Sequence, residues 1–192
     1  MSNLNPVETL EAEHRVIQRI VAVMVVLADR LDAGDEVDPA LLESIVEFLR
    51  TFADRSHHAK EEAWFFPAME RRGVPSHGCP LGGLTMEHAK GRQMVTEFAE
   101  AIRAWTLGVN GATVRETLVK TLRGLATFYP AHIWKEDYLL FPLAGRLLTP
   151  EDQQELIGKF EGVDGEIGLE VRARLEHLAE ELELQVTLGG RA

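Results

Sequence analysis

Two stretches of this chain match each other without a gap, and that internal repeat restricts the fold more than any other feature. His57-His-Ala-Lys-Glu61-Glu-Ala-Trp-Phe-Phe66-Pro67 aligns with His132-Ile-Trp-Lys-Glu136-Asp-Tyr-Leu-Leu-Phe141-Pro142. Histidine, lysine, glutamate, phenylalanine and proline coincide, and a second acid, Glu62 or Asp137, follows the glutamate in each. Upstream, His14 (preceded by Glu13) lies 43 residues before His57, and His88 (preceded by Glu87) lies 44 before His132. Repetition of this kind implies two supersecondary units of one design. Each unit offers a lone histidine and then a His-x-x-x-Glu pair.

The apolar pattern around these residues is helical throughout, with no competing strand alternation. Asn5-Pro6 reads as an N-cap followed by proline at the first helical position. From there Leu10, His14, Ile17, Val21, Met24, Ala28 and Leu31 share one face, ending near Gly34. Asp38-Pro39 opens a second stripe through Leu49, Ala53, His57, Glu61 and Trp64, which stops before Gly73. A third runs from Leu84 through His88, Val95 and Trp105 to Gly108, and a fourth from Gly111 through Leu118, Tyr129, His132, Glu136 and Leu143. Long helices joined by short loops predict an all-α chain, an up-down four-helix bundle over residues 1–148. Thr149-Pro150 then starts a short fifth helix, and about Asp164 to Val186 an acidic sixth. Residues 149–192 are expected to pack on the bundle or to mediate a homodimer.

Composition narrows the function. The 192 residues are 45% apolar and carry a formal charge of −11, which argues against a sequence-independent grip on nucleic acid or an anionic membrane. The longest apolar run, Ile20 to Ala28, is about half of what a bilayer requires. Met1-Ser-Asn-Leu-Asn-Pro lacks the basic, apolar pattern of a secretory signal, and a lone Cys79 allows no intrachain disulfide. A cytoplasmic protein is the expectation.

Residues four apart on a helix share a face, so His57 with Glu61, and His132 with Glu136, can present imidazole and carboxylate to one point. His14 and His88 add single contributions from the other two helices. All six sit where a bundle would otherwise place leucine. Burying two carboxylates without partners costs several kcal/mol each, and no lysine or arginine shares their stripes at that level. Metal cations are the natural partner. Imidazole with carboxylate suits iron, zinc or manganese, and two glutamates able to bridge favour a pair of metals.

The Glu13-His14 and Glu87-His88 pairs, the His57-to-Pro67 stretch and His132-x-x-x-Glu136 before Phe141-Pro142 resemble the hemerythrin-like, HHE cation-binding domains, over about residues 6–147. The resemblance implies nitrogen ligands at His14, His57, His88 and His132, with Glu61 and Glu136 bridging a non-haem di-iron centre of two iron ions. It further implies a small ligand: oxygen, peroxide or nitric oxide. One departure is Leu84, where oxygen-carrying hemerythrins have a further histidine; one iron is then short of a ligand, and reactive chemistry outranks carriage. The alternatives are a metal- or oxygen-responsive sensor without turnover and an iron-handling or repair protein. A ferritin-like enzyme would need Glu-x-x-His on two helices, and only Glu11-x-x-His14 fits.

The neighbouring residues carry weaker expectations. His58 lies about 100° around the helix from His57, which makes it a supporting or exposed residue, although a register shift by one would pair it with Glu62. Glu13 and Glu87 support or face solvent, and Lys60 and Lys135 are solvated. Pro67 and Pro142 kink or end their helices. Tyr129 packs inward, one turn before His132; His77, Cys79 and His177 carry no role.

Overall fold

The computed structural model describes residues 5–109 and 111–189, and within these the chain is all-α, with six helices and no strand. The ends of the two expected segments, residues 1–4 and 190–192, lie outside the described residues. Helix α1 spans Pro6–Ala33, and its start follows from local chemistry: the Asn5 side chain accepts from the Glu8 N–H while the Glu8 carboxylate accepts from the Asn5 N–H. Helix α2 covers residues 39–71, α3 Leu81–Thr106, α4 residues 111–147, α5 Pro150–Ile167 and α6 Leu169–Gly189. Among the described residues no helix is long and apolar enough to cross a membrane.

The fifth helix is longer than its sequence pattern predicts. It runs through Gly162 and Gly165 and stops only at Gly168, whose φ of 94° no residue with a Cβ adopts readily. Asp164 therefore belongs to the end of α5 and not to the start of the sixth helix.

Neither Pro67 nor Pro142 ends its helix. In both repeats the helix widens to a π turn just before the proline, over Glu61–Phe65 and Glu136–Leu140, then continues as Phe66–Arg71 and Phe141–Leu147. The N–H of Phe66 reaches Glu61 O and that of Phe141 reaches Glu136 O, a span of five residues. The wider turn relieves the clash between a proline ring and the carbonyl four residues back. Pro130 lies in α-helical backbone of the same α4, so widening is a feature of the repeat and not of proline as such. A second π stretch, Leu49–His58, precedes the first in α2.

Two apolar clusters are stacked along the helices. The larger contains Ile17, Met24, Phe52, Ala53, Val95, Phe98, Tyr129 and Ile133 and also takes in Leu175, Ala179 and Leu182 of α6. The smaller contains Leu10, Phe65, Phe66, Leu84, Leu140 and Phe141, with Leu156 and Phe160 of α5. Full burial of each such side chain contributes about 1.5–3 kcal/mol. Between the clusters, on α1, α2, α3 and α4 alike, the apolar run is interrupted by buried polar residues: Glu13 and His14; Ser56 to His58 with Lys60 and Glu61; His88; and His132 and Glu136.

Candidate metal centre

The six residues expected to bind metal meet at that interruption, and all are buried. Their donor atoms converge in two groups. In one, the His14 and His57 Nε2 atoms are 3.0 Å apart; in the other, those of His88 and His132 are 3.1 Å apart. Glu136 lies between them, with Oε2 3.1 Å from His14 Nε2 and Oε1 3.3 Å from His132 Nε2. Glu61 Oε2 is 3.6 Å from His57 Nε2 and 3.4 Å from His88 Nε2. His14, His57, Glu61 and Glu136 form a set of donor atoms within 4.8 Å of one another, and so do His58, His88 and His132.

The opposite nitrogen of each of these four imidazoles faces a carboxylate. His14 Nδ1 is 2.7 Å from Asp137, His57 Nδ1 3.0 Å from Glu13, His88 Nδ1 2.6 Å from Glu62 and His132 Nδ1 3.0 Å from Glu87. An ionised carboxylate only accepts, so each Nδ1 carries a proton and each Nε2 is the ring nitrogen turned to the interior. The pattern crosses between the hairpins. The acid before each lone histidine holds its own hairpin's second histidine, whereas the acid after each bridging-position glutamate holds the lone histidine of the other. Ring stacking fixes the planes: Phe141 on His14, Phe66 on His88 and Phe128 on His132.

The interior of this shell therefore presents four ring nitrogens and two carboxylates to one another. Among the described residues, none of the four oxygens of Glu61 and Glu136 has a hydrogen-bond partner. Their electrostatics express the same conflict. Burial and then Glu136 push the Glu61 carboxyl well above its ordinary range, while His132, His14 and His88 overcome burial and hold Glu136 well below its own. At His14 burial is outweighed by Asp137 and Glu136, and the pKa rises from 6.5 to about 10; at His57 burial prevails and it falls to about 4. A buried cluster of imidazole nitrogens and carboxylates is what divalent or trivalent cations compensate, and this donor set fits them.

Several neighbours differ from their sequence expectation. His58 is not peripheral: it is buried, its ring stacks on that of His88 at 4.0 Å, and it joins His88 and His132. The reason is the π stretch Leu49–His58, where each residue turns through less than the 100° of an α-helix, so His57 and His58 both face inward. Glu62 is taken by His88, which excludes the shifted His58–Glu62 pairing. The position of Leu84 is apolar, in the smaller cluster, and His58 brings a third imidazole to His88 and His132. Lys60 is not solvated but fully buried, paired with Glu13 and, at 2.7 Å, Asp164. The repeat held a signal for it, since Lys135 pairs with Glu87 in the same way. Tyr129 is buried and lines, with His58, Asp54 and Arg92, a cavity of about 190 Å³.

The family model of the Hemerythrin HHE cation binding domain matches residues 5–144. Uncharacterized proteins of Mycobacterium bovis and of two strains of Mycobacterium tuberculosis are each 24% identical to this chain over 154 residues, covering 80% of it and 59% of the relative. The chain thus spans about three-fifths of the length of the curated relatives it matches.

Proposed function

The chain belongs to the hemerythrin HHE cation-binding family, and from that premise we propose that it is a non-haem di-iron protein whose centre binds or reacts with a small ligand such as oxygen, peroxide or nitric oxide. The observation that carries this reading is the convergence of two pairs of Nε2 atoms, 3.0 and 3.1 Å apart, on two glutamates whose four oxygens have no hydrogen-bond partner. Glu61 and Glu136 each approach histidines of both pairs, which suits bridging carboxylates. His14, His57, His88 and His132 would hold the two metals through Nε2, with His58 joining the second. We assign the centre to an up-down four-helix bundle of α1 to α4, residues 1–148, with residues 149–192 as a helical appendage.

When bound, the metal pair supplies Lewis acidity, redox capacity and open coordination positions. The chain does the rest. Glu13, Asp137, Glu62 and Glu87 keep the proton on Nδ1 of their histidines, so that every Nε2 stays available. Phe141, Phe66 and Phe128 lock the rings and exclude water. Two imidazoles, His14 and His57, would hold the first metal, and three, His58, His88 and His132, would hold the second.

Metal analysis combined with an absorption spectrum tests the reading. After anaerobic reconstitution with Fe(II) and reoxidation, the protein is expected to hold two irons per chain and to show near-ultraviolet charge-transfer absorption that azide alters. Iron near zero would sink the two-metal reading, and a colourless protein that retains only zinc would sink the redox part of it. Rapid mixing of the reduced protein with oxygen or peroxide then separates repeated turnover from a single stoichiometric event.

A further inference from the structure

The C-terminal helices reach the cluster behind His57 through Asp164 of α5 and the guanidinium of Arg172. Arg172, near the start of α6, donates to Glu13 Oε1 at 2.6 Å, to Asp164 Oδ1 at 2.5 Å and to Ser56 Oγ at 2.8 Å. Its guanidinium lies 5.1 Å from the centre of the Phe52 ring, and the side chain is largely buried. The other oxygen of Glu13 accepts from His57 Nδ1. Lys60 completes the cluster by bonding Glu13 and Asp164 together.

This arrangement matters for His57. An imidazole presents a lone pair at Nε2 only if its proton stays on Nδ1, and Glu13 is the acceptor that keeps it there. Glu13 is itself buried, so its place is set by the cations beside it. Lys60 comes from the same helix as His57; Arg172 comes from residues beyond the metal-binding helices. In the second hairpin Glu87 holds His132 and pairs with Lys135, but no arginine covers it among the described residues.

We propose that Arg172 is a positioning residue for the first metal position: by fixing Glu13 it fixes the His57 imidazole, so the affinity of that position alone depends on α5 and α6 being docked. The proposal rests on the two-metal reading above and adds a regulatory handle, because whatever lifts α6 loosens one metal and spares the other.

The test uses the full chain loaded with Fe(II) and titrated with a competing chelator, with helix content followed by circular dichroism. Arg172→Ala is expected to lose one iron at about 10–100-fold weaker competition than wild type, the effect of removing a group that orients a ligand, while the second iron leaves as in wild type. Arg172→Lys, which keeps the charge, is expected to restore part of that affinity. Arg174→Ala is the matched control: it lies on the same helix and holds only the exposed Glu47, and it is expected to retain both irons. The proposal is overturned if folded Arg172→Ala releases both irons as wild type does. It is equally overturned if both irons leave together with helix content, since that is loss of the fold and not of one position. A wild-type protein that takes up no iron would remove the two-metal reading and this inference with it.

Discussion

The two hairpins hold the same residues in the same roles, yet one is covered and the other open. Glu13 and Lys60 are 2% and 0% exposed, beneath Asp164 and Arg172; their counterparts Glu87 and Lys135 are 26% and 42% exposed. The covered hairpin also contributes His58 where the open one has Ile133, a member of the larger apolar cluster. A duplicated set of buried donors thus has two different outer surroundings, with three imidazoles grouped on one side and two on the other. Sequence symmetry sets what the donors are, and the surroundings decide how the two positions differ.

The largest effect comes from removing what both halves share. The double variant Glu61→Leu/Glu136→Leu is expected to bind no iron while the metal-free protein becomes about 1–4 kcal/mol more stable, because two carboxylates buried at a desolvation cost give way to apolar packing. Denaturant unfolding with and without metal checks both. Metal-free destabilisation would show that the glutamates are already satisfied by the protein alone.

Next in size is a test of cover against exposure. Lys60→Met leaves Glu13 buried with one cation fewer and is expected to cost about 3 kcal/mol, the lower end for breaking a buried pair, since Arg172 remains. Lys135→Met, at the matching but open position, should stay within about 1 kcal/mol. Equal costs in parallel unfolding curves would erase the distinction between the hairpins.

Much of this was legible in the sequence, because helical stripes and a repeated motif are local signals. The caps at Asn5 and Gly34, the restart at Pro39 and the meeting of six polar residues at one level all follow from spacing. His58 did not follow, because its direction depends on a π stretch, and no residue pattern in Leu49–His58 announces that five-residue hydrogen bonding replaces four. Lys60 was missed for a different reason. A lysine beside a glutamate on a helix is ordinarily solvated, and what buries this one is Asp164, over 100 residues away in sequence. The extent of α5 failed on its glycines: Gly162 and Gly165 look like stops but lie in helix, and only Gly168 adopts positive φ.

A smaller effect would come from making the hairpins alike at the position where they differ. His58→Ile copies Ile133 into the covered hairpin. It is expected to weaken the second metal position at least tenfold, of the order that even outer groups of a metal site contribute. Chelator competition then finds two positions of more similar affinity than in wild type. If iron release is unchanged, His58 packs against His88 without binding metal.

The smallest effect concerns the cover itself in acid. Arg72, just past the end of α2, donates to Asp152 Oδ2 at 2.6 Å, and the Thr149 N–H donates to the same oxygen at 2.9 Å, tying the start of α5 to the covered hairpin. The guanidinium, aided by that N–H, lowers the Asp152 pKa from 3.8 to about 2. A carboxyl with a depressed folded-state pKa stabilises the fold above its unfolded value and loses that contribution as pH falls through the folded one. The loss here should run from about pH 4 down to pH 2. Arg72 is more than a third exposed, and screening limits such a pair to about 0–1 kcal/mol. Other carboxyls, Glu62 and Glu87 among them, are also held below their ordinary range, so the useful quantity is a difference. Asp152→Asn keeps a capping side chain but cannot titrate, and its stability between pH 4 and pH 2 should fall less steeply than that of wild type. Salt should shrink the gap. Hydrogen exchange at the first turn of α5 should report the acid loosening before any change appears around the exposed Glu87 and Lys135. Parallel pH profiles for the two proteins would mean that the cover is held by Leu156 and Phe160 alone, and that its charges shape the metal site without securing the helix above it.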